Sequence, residues 1–311
     1  AFRYSDIVME RLGELAAFGT AICWTASALF FERASRRVGT LAVNFFKVFA
    51  AFLLLLLPAV VFRGMALPLD ASPRQWLFMA LSGLVGFVVA DHFLFEAYVL
   101  IGSRLTVLFQ PLTPLFSAFL GYIVLGETMR PEGLVGMALV VAGILVVVLS
   151  RNAGAGGRGA FAAPGGIAAK GLTYALASAF FQAVGLIFSK LGLQGYDAIG
   201  GTQIRVGTAI FGFAIHALLS RRSREVFVDA PRDRSAMRTT AIGAVFGPFV
   251  GVTLSLIALK ATSAGAASTL MGLTPVLIIP PSILFLKQKV RLPEAIGACV
   301  AVGGAALFFL L

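Results

Sequence analysis

Charge is scarce in this chain. Only 13% of its 311 residues are Asp, Glu, Lys or Arg, against about 25% in a soluble domain. A composition that is 59% hydrophobic leaves too little polar surface to cover a water-soluble globule, so lipid must be the solvent for much of the chain. Cysteine and histidine are nearly missing, at two residues each. Cys23 and Cys299 lie in apolar runs without a CxxC spacing, so neither a disulfide framework nor a metal site is expected. Two histidines without HExxH spacing speak against a zinc enzyme. The absence of a GxxxxGK[ST] loop speaks against ATP hydrolysis by this chain. No cofactor is expected, and alternating ten-residue segments that would mark a membrane β-barrel are also lacking.

What the sequence does have is apolar runs of helix-spanning length. Ten are read, at 14–31, 39–62, 75–100, 104–125, 132–150, 170–191, 198–219, 237–259, 263–286 and 293–311, each near the ~20 residues a helix needs to cross the bilayer. The net charge of +11 resides in Lys and Arg scattered through the breaks, as anionic headgroups and the insertion machinery favour. No aromatic-interleaved basic platform accompanies them, so nucleic acid is not an expected partner. Asp6, Glu10, Arg11 and Glu14 precede the first run and no small-residue cleavage site follows it, so a removable signal peptide is not expected.

The chain also repeats itself. At an offset of 161, Leu112-Thr113-Pro114 meets Leu273-Thr274-Pro275, Gly136 meets Gly297 and Gly143 meets Gly304. Near 158, Lys47 meets Arg205 and Val48 meets Val206; near 157, Arg33 meets Lys190. Matching charges and Thr-Pro pairs in equivalent spans predict an internal duplication: residues 1–150, a Gly/Ala-rich linker at 151–169, and residues 170–311. Each copy has five spans, an odd number, so the second must enter the membrane from the opposite side. The expected fold is therefore an all-α membrane protein of ten helices in two inverted five-helix repeats, with a substrate site near the midplane between them.

The run Ala90-Asp91-His92-Phe93-Leu94-Phe95-Glu96-Ala97 to Gly102, then Phe109-Gln110-Pro111-Leu112-Thr113-Pro114, Leu125-Gly126-Glu127 and Gly136 to Gly143 resembles the EamA domain of the drug/metabolite transporter superfamily. The second half repeats it more loosely in Ala258, Gly272-Leu273-Thr274-Pro275, Gly297 and Gly304. One departure stands out: Gln288 follows Lys287 where the first copy has Glu127. The resemblance implies a multi-pass protein of the bacterial inner membrane that exports amino acids or related metabolites, with the aromatic amino-acid exporters as the nearest type. It also implies termini in the cytoplasm. The positive-inside rule points the other way, because Lys and Arg crowd the loops after helices 1, 3, 5, 7 and 9.

Charges inside spans are the sharpest functional signal, since one at mid-membrane costs about 2.5–3.5 kcal/mol on insertion scales. Lys47 and Asp91 fall at similar depth below one face and are expected to pair. His92 and Glu96, four apart, share a helix face, so Glu96 is expected to orient His92. Arg205, the counterpart of Lys47, finds Val252, Thr253 and Ile257 where the first half has Asp91, His92 and Glu96. Its free donors suit a carboxylate. Trp24, Thr25, Asn44, Phe95, Gln110 and Gln182 complete the expected cavity wall. Pro114, Pro248, Gly251 and Pro275 are expected hinges or kinks that line it.

The reading is a secondary transporter working by alternating access on a small-molecule substrate, functional as a monomer in the bilayer and not an enzyme. The alternative is a nucleotide-sugar or phosphorylated-metabolite exchanger, with Lys47 and Arg205 on the phosphate.

Overall fold

The computed structural model describes residues 2–106, 109, 112–128, 131–153, 165–277 and 292–310. Its first repeat comprises α1 (Phe2–Val38), α2 (Thr40–Arg63), α3 (Pro73–Gly83), a π-helical segment at Leu84–Val89, α4 (Ala90–Thr106), α5 (Leu112–Leu125) and α6 (Pro131–Ala153). The second comprises α7 (Gly165–Gly192), α8 (Ala198–Leu219), α9 (Arg234–Ala244), a π-helical segment at Val245–Gly251, α10 (Val252–Ala261), α11 (Ala264–Met271), α12 (Thr274–Leu277) and α13 (Leu292–Leu310). Six of the resulting rods are long and apolar enough to cross a membrane, and Leu112–Leu125, Pro131–Val146 and Ala295–Gly304 are shorter apolar helices. With α11 and α12 opening the remaining span, this is the all-α, ten-helix membrane architecture.

Lipid accounts for the outer surface. Leu57, Phe62, Phe119, Tyr122 and Phe211 are among many large apolar side chains left exposed, an arrangement water would not tolerate but hydrocarbon does. Inside the helices, Thr20, Thr25, Thr202, Thr208 and Thr240 donate to the carbonyl four residues back, which satisfies their hydroxyls without water.

The inversion shows in how the helices pack. α6 lies along α13, where a Cβ on Gly143 would stand 2.5 Å from the Gly297 carbonyl oxygen and one on Gly304 would stand 2.8 Å from that of Gly136. Later residues of one helix thus meet earlier residues of the other, so these equivalent helices run antiparallel with backbones in contact. The remaining pairings come in matched sets. α1 packs on α9, α10 and α11, while its counterpart α7 packs on α3, α4 and α5; α2 packs on its own counterpart α8. Even the π segments correspond, since Leu84 and Val245 differ by the same 161 positions as the Thr-Pro pairs.

Two boundaries differ from the sequence expectation. The helix expected to end near residue 100 continues to Thr106, and a turn follows in which Leu112 N–H bonds to Phe109 O. In the second repeat α10 stops at Ala261, because Ser263 caps the next helix on Ala266 N–H and the Glu127 carboxylate takes Ala264 N–H. The equivalent positions are Gly102 in the first repeat and Gln288 in the second: the former has no capping side chain, and the latter is no carboxylate. Helix also extends into both ends of the expected 151–169 linker, through Ala153 and from Gly165.

Candidate functional site

Three residues of one helical face organise the seam: Phe87, Asp91 and Phe95, four apart along the rod formed by α3, its π segment and α4. Lys47 Nζ donates to Asp91 Oδ2 at 2.6 Å and stands 4.2 Å from the centroid of the Phe95 ring and 5.3 Å from that of Phe31. Arg205 Cζ stands 5.0 Å from the Phe87 centroid. Each cation therefore sits on an aromatic face one turn to either side of the acid. Lys47 and Arg205 are 3% and 5% exposed, burial that a charge tolerates only with compensation.

Depth follows from sequence position. Lys47 is seven residues beyond the start of α2 and Arg205 seven beyond the start of α8. Those helices enter from opposite faces, so each cation lies about 10 Å inside its own face. Asp91 stands between them and interacts electrostatically with both. Two cations from equivalent places in two repeats thus share one acid from the first.

The second cation is incompletely satisfied. Arg205 Nε is buried with no hydrogen-bond partner. Its position is fixed by glycine: a Cβ on Gly86 would come within 3.2 Å of an Arg205 terminal nitrogen, and Gly83 packs against the Arg205 backbone. Asn44 Oδ1, one turn before Lys47 on α2, is likewise buried without a partner, as are Thr113 Oγ1 and Ser117 Oγ on α5. Buried polar atoms left open in a folded protein mark places where water or a ligand completes the bonding.

Other expected site residues are placed as follows. Thr25 donates to Ala21 O and reaches Thr274 O at 3.4 Å, linking α1 to the Thr-Pro turn of the second repeat. Trp24 packs against Gly251, and Gly243 and Gly247 meet Phe31, so the glycine face is a close-packing surface for α1. Phe95 tilts against Phe31 and Tyr98, each with a centroid separation of 5.9 Å. Gln182 donates to Ser178 Oγ at 3.2 Å. Gln110 lies outside the described residues. Pro248 and Gly251 fall within the π segment of the second repeat. Pro114 is in the first turn of α5 and Pro275 in that of α12. A helix needs no internal backbone donor there, so these two prolines begin helices and do not kink them.

His92 turns elsewhere. Its ring meets that of His216 on α8 edge to face, 5.0 Å between centroids. Glu96 instead accepts from Thr40 Oγ1 at 2.8 Å, so the expected His92–Glu96 partnership is only electrostatic. Sequence reasoning missed a cluster at the opposite end of the seam. Arg63, the last residue of α2, donates to Asp70, Asp197 and Tyr196. Burial alone would raise the Asp70 carboxyl, but hydrogen bonds from Arg63 and Tyr196 hold it below the usual carboxylate range. The Tyr196 phenol is pushed up by burial and by its bond to Asp70.

Fold and site together define a multi-pass membrane protein built of two inverted five-helix repeats, with buried charges where the repeats meet. The chain belongs to the EamA-like transporter family, whose model matches twice, over residues 11–149 and 169–310. A solved structure described only as the crystal structure of a protein is similar over 96% of both chains, with a TM-score of 0.73 at 21% identity, and shares the fold. Comparison with curated proteins finds no significant match.

Proposed function

We propose that this drug/metabolite-type transporter exports amino acids or related carboxylate-bearing metabolites across the bacterial inner membrane by alternating access. The observation that carries the reading is Arg205: a guanidinium buried between the repeats, seated on Phe87, with Nε unpartnered. The acid it shares is already hydrogen-bonded to Lys47. A carboxylate docking there would gain charge-assisted, fork-shaped hydrogen bonds. Phe31, Phe87, Phe95 and Tyr98 supply apolar wall for a side chain, which favours aromatic or large aliphatic amino acids. Lys47 is engaged by Asp91, so among the described residues of the seam it is Arg205 that offers an open donor; a single such cation suits a carboxylate better than a phosphate. Asp91 is the group whose protonation would release Lys47, and His92 is a second candidate for proton coupling.

Purified protein in liposomes tests this directly. Export of a radiolabelled aromatic amino acid should be competed by other amino acids and not by nucleotides or nucleotide sugars. Competition by nucleotides alone would transfer the site to phosphorylated solutes.

A further inference from the structure

The membrane face carrying the chain termini also carries two ionic ties between the repeats, and among the described residues neither has a counterpart on the far face. The first centres on Arg63, whose side chain is 6% exposed. Its Nη2 donates to Asp70 Oδ1 at 2.5 Å and to Tyr196 Oη at 2.8 Å, its Nε to Asp197 Oδ2 at 2.7 Å. Tyr196 Oη donates in turn to Asp70 Oδ1 at 3.0 Å, and Gln203 Nε2 to Ala66 O at 2.7 Å. Arg63, Ala66 and Asp70 belong to the first repeat; Tyr196, Asp197 and Gln203 belong to the second. Space for the cluster depends on Gly200, where a Cβ would meet Tyr196 Oη at 2.6 Å and Arg63 Cζ at 2.8 Å.

The second tie is built on Glu127. α5 ends at Leu125, Gly126 follows with φ of 65°, and Glu127 N–H closes the turn on Gly121 O at 3.2 Å. The carboxylate so placed pairs with Lys190 and accepts from Ala264 N–H, both in the second repeat. Lys190 Nζ also donates to Thr262 O at 2.5 Å.

The pseudo-symmetry offers the far face the same positions, and the sequence leaves them empty of acid. Gly39 is the counterpart of Asp197, Val38 of Tyr196 and Gln288 of Glu127. Arg221, the counterpart of Arg63, is exposed, and Asp229 is occupied with Arg224 and Arg232 in its own loop. Among the described residues, what joins the repeats by charge there is Arg37 with Asp233, at 2.9 Å with side chains 49% and 27% exposed. With both partners open to solvent, such a pair contributes little; the terminal face differs in its cation, for Arg63 is 6% exposed although its acids Asp70 and Asp197 are 42% and 40% exposed, and stripping a buried guanidinium of its acids leaves an uncompensated charge.

We infer that the Arg63 cluster and the Glu127–Lys190 pair are the gate of the terminal face: they hold it shut in the stable state, and must part for solute to exchange on that side. Among the described residues, no comparable contact stands in the way of opening the far face. This rests on the alternating-access part of the proposed function and holds whichever solute is carried.

The test uses the full chain with Cys23 and Cys299 replaced by serine and one new cysteine at a time. Thr202→Cys reports from α8 one turn inside the latch, where Thr202 is fully buried; Leu41→Cys reports from the first turn of α2 at the far face. Asp70→Asn with Tyr196→Phe weakens the latch while leaving Arg63 its bond to Asp197. Arg63→Gln removes its centre. Loss of charge-assisted bonds of this strength should raise the thiol-labelling rate at position 202 by about tenfold or more and leave that at position 41 unchanged or slower. Should Arg63→Gln fail to fold, the milder double variant decides alone. Rates unchanged at both positions, or raised equally at both, would show the cluster to be a general brace and overturn the gate.

Discussion

The Lys47 ammonium is bonded to the Asp91 carboxylate at 2.6 Å, and the two are contributed by different helices of the same repeat. Their pairing compensates two charges that hydrocarbon would otherwise reject. Neutralising one of them alone, as in Asp91→Asn, should cost about 3–5 kcal/mol through the orphaned Lys47. The double variant Lys47→Met/Asp91→Leu should recover most of that stability without recovering transport. Thermal unfolding in detergent and flux in liposomes, measured on the same preparations, check both halves of the expectation.

Arg205 gives a sharper functional prediction. Arg205→Lys keeps the charge but loses the planar fork and its seat on Phe87, so the Michaelis constant for a carboxylate-bearing solute should rise about tenfold to a hundredfold. The amide or ester of the same solute should lose much less. Equal losses for acid and ester would remove carboxylate recognition from this residue.

The α6–α13 crossing relies on bare backbone. Gly143→Val or Gly304→Val would drive methyl groups into the Gly297 or Gly136 carbonyl, an overpacking that should cost about 1–3 kcal/mol or more. The matching pair of single variants should be similarly harmful, since each reports the same contact from one side. A melting temperature within a degree of the parent for both would contradict the antiparallel contact.

The latch has a pH window whose signs follow from its outer members. The Asp70 carboxyl is held low in the folded protein, so its contribution is complete above the unfolded value of about 3.9 and is lost as pH falls through the folded one. The Tyr196 phenol is held high, so its contribution is complete below the unfolded value of about 10 and is lost as pH rises beyond it. Labelling at Thr202→Cys, corrected for thiolate fraction, should therefore be flat across neutral pH and climb at both extremes. A steep change between pH 6 and 8 would mean that a different group controls the face.

Much of this architecture was legible in the sequence. Run lengths and the Thr-Pro offset were enough for ten spans and an inversion, and depth arithmetic alone brought Lys47 to Asp91. The partner of Arg205 was not legible, because the search for one stayed within its own half while Asp91 lies in the other. Nor was the helix end at Thr106, which depends on Gly102 lacking a capping group that Ser263 supplies in the second copy. Arg63, Asp70, Tyr196 and Asp197 read as ordinary loop polarity until the chain is folded. The available signal was comparative: Asp197 and Glu127 have lost their acidic counterparts, at Gly39 and Gln288.

The paired π segments, Leu84–Val89 and Val245–Gly251, bear on how such a molecule moves. A widened turn holds one residue more than its neighbours and can travel along a rod by exchanging carbonyl partners, without the rod ever breaking. One copy forms without proline and the other around Pro248, so the widening is a property of the architecture and not of a single residue. The two segments sit at equivalent heights in the two helices that flank the buried charges, 161 positions apart. Backbone bonds loosened at such a turn lie in oil, where no water is on hand to take them up, so they must be exchanged within the helix.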